Sequence, residues 1–137
     1  MKFRLAAILL LFVPLPSWGG PQRPHPAKQA PLSDIGYVLA LGTANRFLHA
    51  WQAGDLETGM VLLSDHARRS QNAENLEEFF SAGSERAYEI ERGKGHPGRY
   101  RFPVVLVTRT GSGLHRTFSE IIVVETGKND WAVDKLP

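Results

Sequence analysis

The side chains of this chain that could do chemistry are fourteen carboxylates, five histidines and three tyrosines, and there is no cysteine. The missing thiol excludes cysteine nucleophiles, thiolate zinc sites and disulfides. His25, His49, His66, His96 and His115 are scattered, and none stands in a helical histidine pair or an acid-rich calcium loop, so no metal-ligand set is legible. The glycine-rich stretch GKGHPG at 93–98 lacks the Lys-Ser/Thr ending of a phosphate loop and reads as a hairpin turn. There is no Gly-x-Ser-x-Gly elbow for a serine hydrolase, and no cofactor motif. Acid–base catalysis would need a carboxylate or histidine held in an apolar pocket, where burial moves its pKa toward the working pH. Three places come closest. Asp65 and His66 are adjacent at a helix end but face different directions, which suits a solvated terminus. Glu120 shares the parity of Phe118 and Ile122 and so counts as inward, near a strand start where solvent reaches. His49 lies between Leu48 and the Trp51 face of a helix. No residue is assigned a catalytic role.

Those side chains are positioned by helices first and strands after. Ser33 or Asp34 can cap a long helix whose stripe is Ile35, Val38, Leu39, Leu41, Phe47, Leu48 and Trp51, and Gly54 ends it. Asp55 caps a second helix, in which Leu56, Met60 and Leu63 keep helical spacing to about His66. A short third helix spans 73–82, with Leu76, Phe79 and Phe80 apolar and Gly83 as its stop. From Arg86 the apolar period falls to two. Tyr88 and Ile90 share a side in one run; Tyr100, Phe102, Val104 and Leu106 in the next; Phe118, Ile122 and Val124, opposite Ser119 and Ile121, in a third; Trp131 and Val133 in the last. Glu89, Glu91 and Glu125 point outward. Turn-type segments at 93–98, 110–113 and 126–130 join the runs into a four-stranded antiparallel meander. Pro103 cannot donate to a ladder and marks an edge, a bulge or a bend. The expected class is α+β, with two to three N-terminal helices packed on a curved four-stranded antiparallel sheet.

The start of the chain is organised differently. Lys2 and Arg4 precede an unbroken apolar run at 5–13, prolines follow, and Ser17-Trp18-Gly19 offers small residues at the two positions a signal peptidase reads. Residues 1–19 are expected to be a cleaved signal peptide, since the run is about half of the roughly 20 residues a spanning helix needs. Without a lipid-carrying cysteine the product is expected to be soluble, with no membrane anchor after cleavage, exported to a bacterial periplasm or secreted. Residues 20–33, with four prolines, read as a flexible leader, and 34–137 as a single domain. Removing Lys2 and Arg4 from the 16 basic residues leaves 14 against 14 acids, so the basic pI is no argument for a nucleic-acid partner. Seven acids and two bases lie in 55–85, against seven bases (Arg86, Arg92, Lys94, Arg99, Arg101, Arg109, Arg116) and two acids in 86–116. Long charged side chains of this kind ordinarily decorate a solvated sheet face.

The segment ANRFLHAWQAGDLETGMVLLS at 44–64 resembles the opening of nuclear transport factor 2-like domains, where an alanine- and aromatic-rich helix steps through "GD" into a second helix. The ending DWAVDKLP is similar to their tryptophan-led last strand, and the element order matches over 34–137. The resemblance implies a curved sheet wrapped around the long helix, with a cone-shaped pocket between them. That pocket serves isomerases and cyclases, non-catalytic binders and dimerising modules alike, so it supplies a place and not a reaction. Phe47, Trp51, Tyr88, Tyr100, Phe102 and Phe118 are the candidate ligand-binding residues on this view; aromatics at such spacings also build ordinary cores. The expected function is non-catalytic binding of a small apolar or amphipathic ligand, or of a protein partner. The alternatives are an isomerase, cyclase or dehydratase, or an assembly module pairing with a second copy through the outer sheet face near Val105.

Overall fold

The computed structural model describes residues 34–81 and 85–137. The expected signal peptide, the leader and the Gly83 stop lie outside these. Asp34 turns its carboxylate onto the free Gly36 amide and starts α1 (Ile35–Ala53), and Gly54 ends it in the left-handed conformation, φ 68°. Asp55 then accepts from the Thr58 amide and opens α2 (Leu56–Val61). The second helix is shorter than its spacing suggested. Leu63 leaves it to bridge Val133, and the Ser64 hydroxyl, accepting from Ala67 N, starts a separate helix, α3 (Asp65–Ser70). The last helix, α4, is Ala73–Ser81.

The strands are β1 (Arg86–Ile90), β2 (Lys94–His96), β3 (Arg99–Thr110), β4 (Gly113–Gly127) and β5 (Asp130–Lys135). All pairings are antiparallel, in the order β1–β3–β4–β5, with β2 alongside the start of β3. The sheet therefore has five strands where the sequence pattern predicted four. The extra one comes from the glycine-rich turn: Lys94 pairs with Arg101 and His96 with Arg99, which leaves only Pro97 and Gly98 to turn. Pro103 lies in the central strand, not at an edge. Its carbonyl accepts from Glu91 N, so its donor-less nitrogen faces the gap between β1 and β2, where no ladder bond is lost.

Packing keeps Leu39, Leu41, Phe47, Leu48 and Trp51 of the expected helix stripe in or against the core and trades its first two members for alanines. Ile35 and Val38 are 73% and 53% exposed, whereas Ala40, Ala44, Phe47, Leu48 and Trp51 are buried. The small residues allow α1 to lie close on the sheet, and Gly36 sits against the Trp131 ring. Below α1 the sheet contributes Tyr100, Phe102, Val104, Leu106, Ile121, Val123, Trp131 and Val133. Burying each such side chain is worth about 1.5–3 kcal/mol, which makes this single cluster the main source of stability. The register of β4 corrects the parity assigned to it: Ile121 and Val123 pair with Phe102 and Tyr100 on the inner face, so Phe118, Glu120 and Ile122 are outward, and Glu125, expected outward, instead pairs with Trp131 on the inner side, at the exposed end of the sheet.

Candidate functional site

α1 crosses the inner sheet face from Trp131 and Tyr100 at its start to Arg86 at its end. Five of the six expected ligand residues meet in this seam. Phe47, Trp51, Tyr100 and Phe102 are buried core members and Tyr88 is half-buried. Phe47 stacks on Phe79 with ring centres 6.3 Å apart, Trp51 lies 6.1 Å from Phe79, and Tyr37 stands edge-on to Tyr100 at 5.5 Å. The sixth, Phe118, is on the other side of the sheet opposite Val105, 77% exposed. Its neighbourhood misled the parity count because residues 121–124 are apolar on both faces.

The tyrosines carry the polar chemistry of the seam. The Tyr100 hydroxyl donates to Asp34 Oδ2, so one carboxylate caps α1 and holds the phenol. Burial first, then this bond and the nearby Asp34 and Glu125 charges, push Tyr100 up to about 12. The Tyr37 hydroxyl accepts from Gly93 N at 3.0 Å. Tyr88 donates to Asn45 Oδ1 at 3.2 Å, and burial raises its pKa. His49, exposed on α1, touches the Tyr88 ring edge-to-face at 5.6 Å.

At the other end of α1, Arg86 departs from the expectation of a solvated basic sheet. It is 8% exposed on the inner face, its guanidinium lies 5.0 Å from the Trp51 ring centre, and Nη1–H donates to Trp51 O. Burial lowers its pKa. Its Nε and Nη2 atoms are buried with no partner among the described residues. Beyond it the inner face continues in register through Thr108, Thr117 and Ser119, which are half-buried or exposed. Sequence reasoning missed Arg86 because an arginine at the start of a strand is usually solvated, and its partner Trp51 is 35 positions away.

The acids and histidines singled out earlier lie elsewhere. Glu120 is outward between Lys135 Nζ at 2.9 Å and Arg101 Nε at 3.3 Å, and the Lys135 bond above all holds its pKa down. Asp65 pairs with Arg68 at 3.8 Å. His66 Nδ1 meets Asp134 at 3.2 Å, and Ser64 Oγ donates to the same oxygen at 2.7 Å. A serine, a histidine and an aspartate thus converge, but both point at the carboxylate and not at each other, and the serine is a helix cap. Burial pushes Asp134 up, and the Ser64 and Arg99 bonds with the His66 and Arg99 charges outweigh it. Among the described residues no three histidines or acids are placed to hold a metal. On the outer face Lys94, His96, Arg99, Arg101 and Ile122 border a groove of ≈ 250 Å³, in which Arg99 and Arg101 are paired with acids.

No family model and no curated protein matches this chain. Solved structures do. A Δ5-3-ketosteroid isomerase from Mycobacterium sp. is similar at 12% identity and TM-score 0.51, over 70% of this chain and 88% of that one. A Mycobacterium tuberculosis protein in complex with estradiol-17β-hemisuccinate is similar at 14% identity and TM-score 0.50, over 70% of this chain and 88% of its own. A computationally designed 17-OHP binder is similar at 13% identity and TM-score 0.51, over 72% of this chain and 92% of its own. The fold is the nuclear transport factor 2-like α+β fold.

Proposed function

We propose, on the premise of that fold, that the chain is an exported, non-catalytic domain that binds a small amphipathic molecule in the seam between α1 and the inner sheet face. The observation that carries this reading is the make-up of the seam. It combines aromatic rings, hydroxyl groups and a buried cation; of the carboxylates beside it, Asp34 is engaged by the Gly36 amide and the Tyr100 hydroxyl, and Glu125, opposite Trp131 at the sheet's end, is exposed to solvent. Such a lining holds a ligand by apolar contact and a few convergent polar groups. The similar structures whose names mention a steroid ligand support this use of the fold. Native mass spectrometry of the protein purified from its own host tests the reading. A retained molecule of defined mass is expected, and a bare protein that also binds nothing in a panel of steroid-sized and smaller apolar compounds would overturn it.

The isomerase-type alternative has one observation in its favour, the Tyr100–Asp34 pair, which unites a phenol donor and an acid. Under the binding reading Asp34→Asn retains ligand affinity within a few-fold, and turnover by wild type that the variant loses would favour the enzyme. Export predicts a mature N-terminus at Gly20 in the periplasmic or secreted fraction; a protein retaining Met1 there would contradict it. We further propose that the outer face pairs with a second copy through exposed Phe118 beside Val105. Sedimentation should show a dimer that Phe118→Ser dissociates, and a wild-type monomer at high concentration would refute it.

A further inference from the structure

Arg86 is the one charged side chain that is buried among the described residues. A buried cation without a counter-ion is costly, and it persists where something satisfies it. The ring of Trp51 and the Trp51 carbonyl satisfy one face and Nη1. What remains is Nε–H and Nη2–H, the adjacent pair along one edge of the guanidinium, with no partner among the described residues. Those two donors run parallel and match the two oxygens of a carboxylate.

We infer that Arg86 is the anchor for the carboxylate of the ligand, which is a monoanionic aromatic or alicyclic acid. The inference rests on the ligand-binding reading above and names the ligand's class. Three observations set that class. The free donors form a two-pronged edge, which fits a planar carboxylate. The strand arginines Arg99, Arg101, Arg109 and Arg116 alternate onto the outer face, so no second strand arginine joins Arg86 to balance a dianion such as phosphate. The neighbouring rings, Trp51 and half-buried Phe79, suit a flat or cage-like hydrocarbon body. Half-buried Thr108 and exposed Thr117, in the same rows of the inner face as Arg86 and Leu106, form the end of the seam nearest to solvent.

The test is calorimetry of the purified protein with 2-naphthoate, indole-3-acetate and adamantane-1-carboxylate, each beside its neutral amide, at fixed ionic strength. At least one acid is expected to bind roughly 10- to 100-fold tighter than its amide, the range for hydrogen bonds to a charged group that water does not reach. In Arg86→Met the gap should close while the amide's affinity stays within a few-fold. In wild type, the Arg86 Nε–H resonance should shift on adding the acid and not the amide, a readout that needs no variant to fold. Equal affinity of acid and amide in wild type, or an acid preference that survives in Arg86→Met, overturns the anchor and leaves ligand binding standing. No binding by any of the six removes the anchor, and the native mass spectrum then decides separately whether the seam binds anything.

Discussion

Gly59 offers a test in which two well-understood effects oppose each other. In a helix, Gly→Ala ordinarily gains about 1 kcal/mol, because alanine loses less backbone entropy on folding. Gly59 is a buried position of α2, and a Cβ built on it would overlap the Phe80 ring at three of its carbons. That ring is fixed: Phe80 is 1% exposed, edge-on to Phe47 at 5.6 Å and to Phe79 at 5.3 Å. Overpacking of a rigid core costs about 1–3 kcal/mol, and an overlap this deep belongs at the upper end. The net expectation for Gly59→Ala is a loss of about 2 kcal/mol, or roughly 10 °C in Tm for a domain of this size. Gly42 is the internal control, an exposed mid-helix glycine of α1 with nothing within 4 Å of its would-be Cβ. There the entropy gain acts alone, and Gly42→Ala should raise Tm by about 4 °C. Thermal unfolding of the two variants and of Gly59→Ala/Phe80→Leu reads all three quantities. The smaller side chain at 80 should recover at least about 1 kcal/mol as a coupling term. A Gly59→Ala protein as stable as Gly42→Ala would refute the claim that α2 and α4 meet through this ring.

Three further outcomes follow from the packing. Arg86→Met should unfold at or above the wild-type temperature, because it removes an uncompensated buried charge and leaves the Trp51 carbonyl still bonded to Gly54 N; a drop of more than a few degrees would mean that the arginine is already satisfied. Tyr100, near 12 when folded and about 10 when unfolded, stabilises the protein fully below pH 10, and that contribution is lost as pH rises through 12; Tyr100→Phe should flatten this fall in an alkaline stability series. Phe102→Ala should cost about 3–5 kcal/mol, while Phe118→Ser changes the stability of the single subunit by less than about 0.5 kcal/mol in denaturant titrations at low concentration; similar costs would show that the β4 register is wrong.

The parts of this fold that were legible in sequence are those whose chemistry is local. Asp34, Gly54 and Asp55 cap or stop helices through atoms within a few residues, and each stands where its residue type predicts. The α+β order and the parity of β3 were readable for the same reason, since Tyr100, Phe102, Val104 and Leu106 alternate with arginines at one end. β4 was not, because its central residues are apolar on both faces and only pairing with Phe102 and Tyr100 selects Ile121 and Val123 for the core. β2 was invisible because Lys94, Gly95 and His96 have no strand preference and are extended only by pairing with β3. The break after Val61 depends on Val133, far along the chain. The seam divides in the same way: its rings are legible by residue type, Asp34 only as a cap, and Arg86 owes its place to Trp51 beneath it, which local sequence does not show.

The irregularities at the two borders of the sheet share a consequence for assembly. At β5 the middle residue Val133 already exchanges backbone bonds with the 62–64 segment, giving its N–H to Leu62 and its carbonyl to Ser64. At the opposite border the strand is interrupted between Ile90 and Lys94, across from Pro103. Neither side offers a long, straight row of unmet donors and acceptors onto which a foreign strand could zip. Growth of the sheet sideways into fibres is thereby discouraged in a protein that has no disulfide to lock it. Pairing of copies, as proposed, would then use the flat of the sheet, where Phe118 stands.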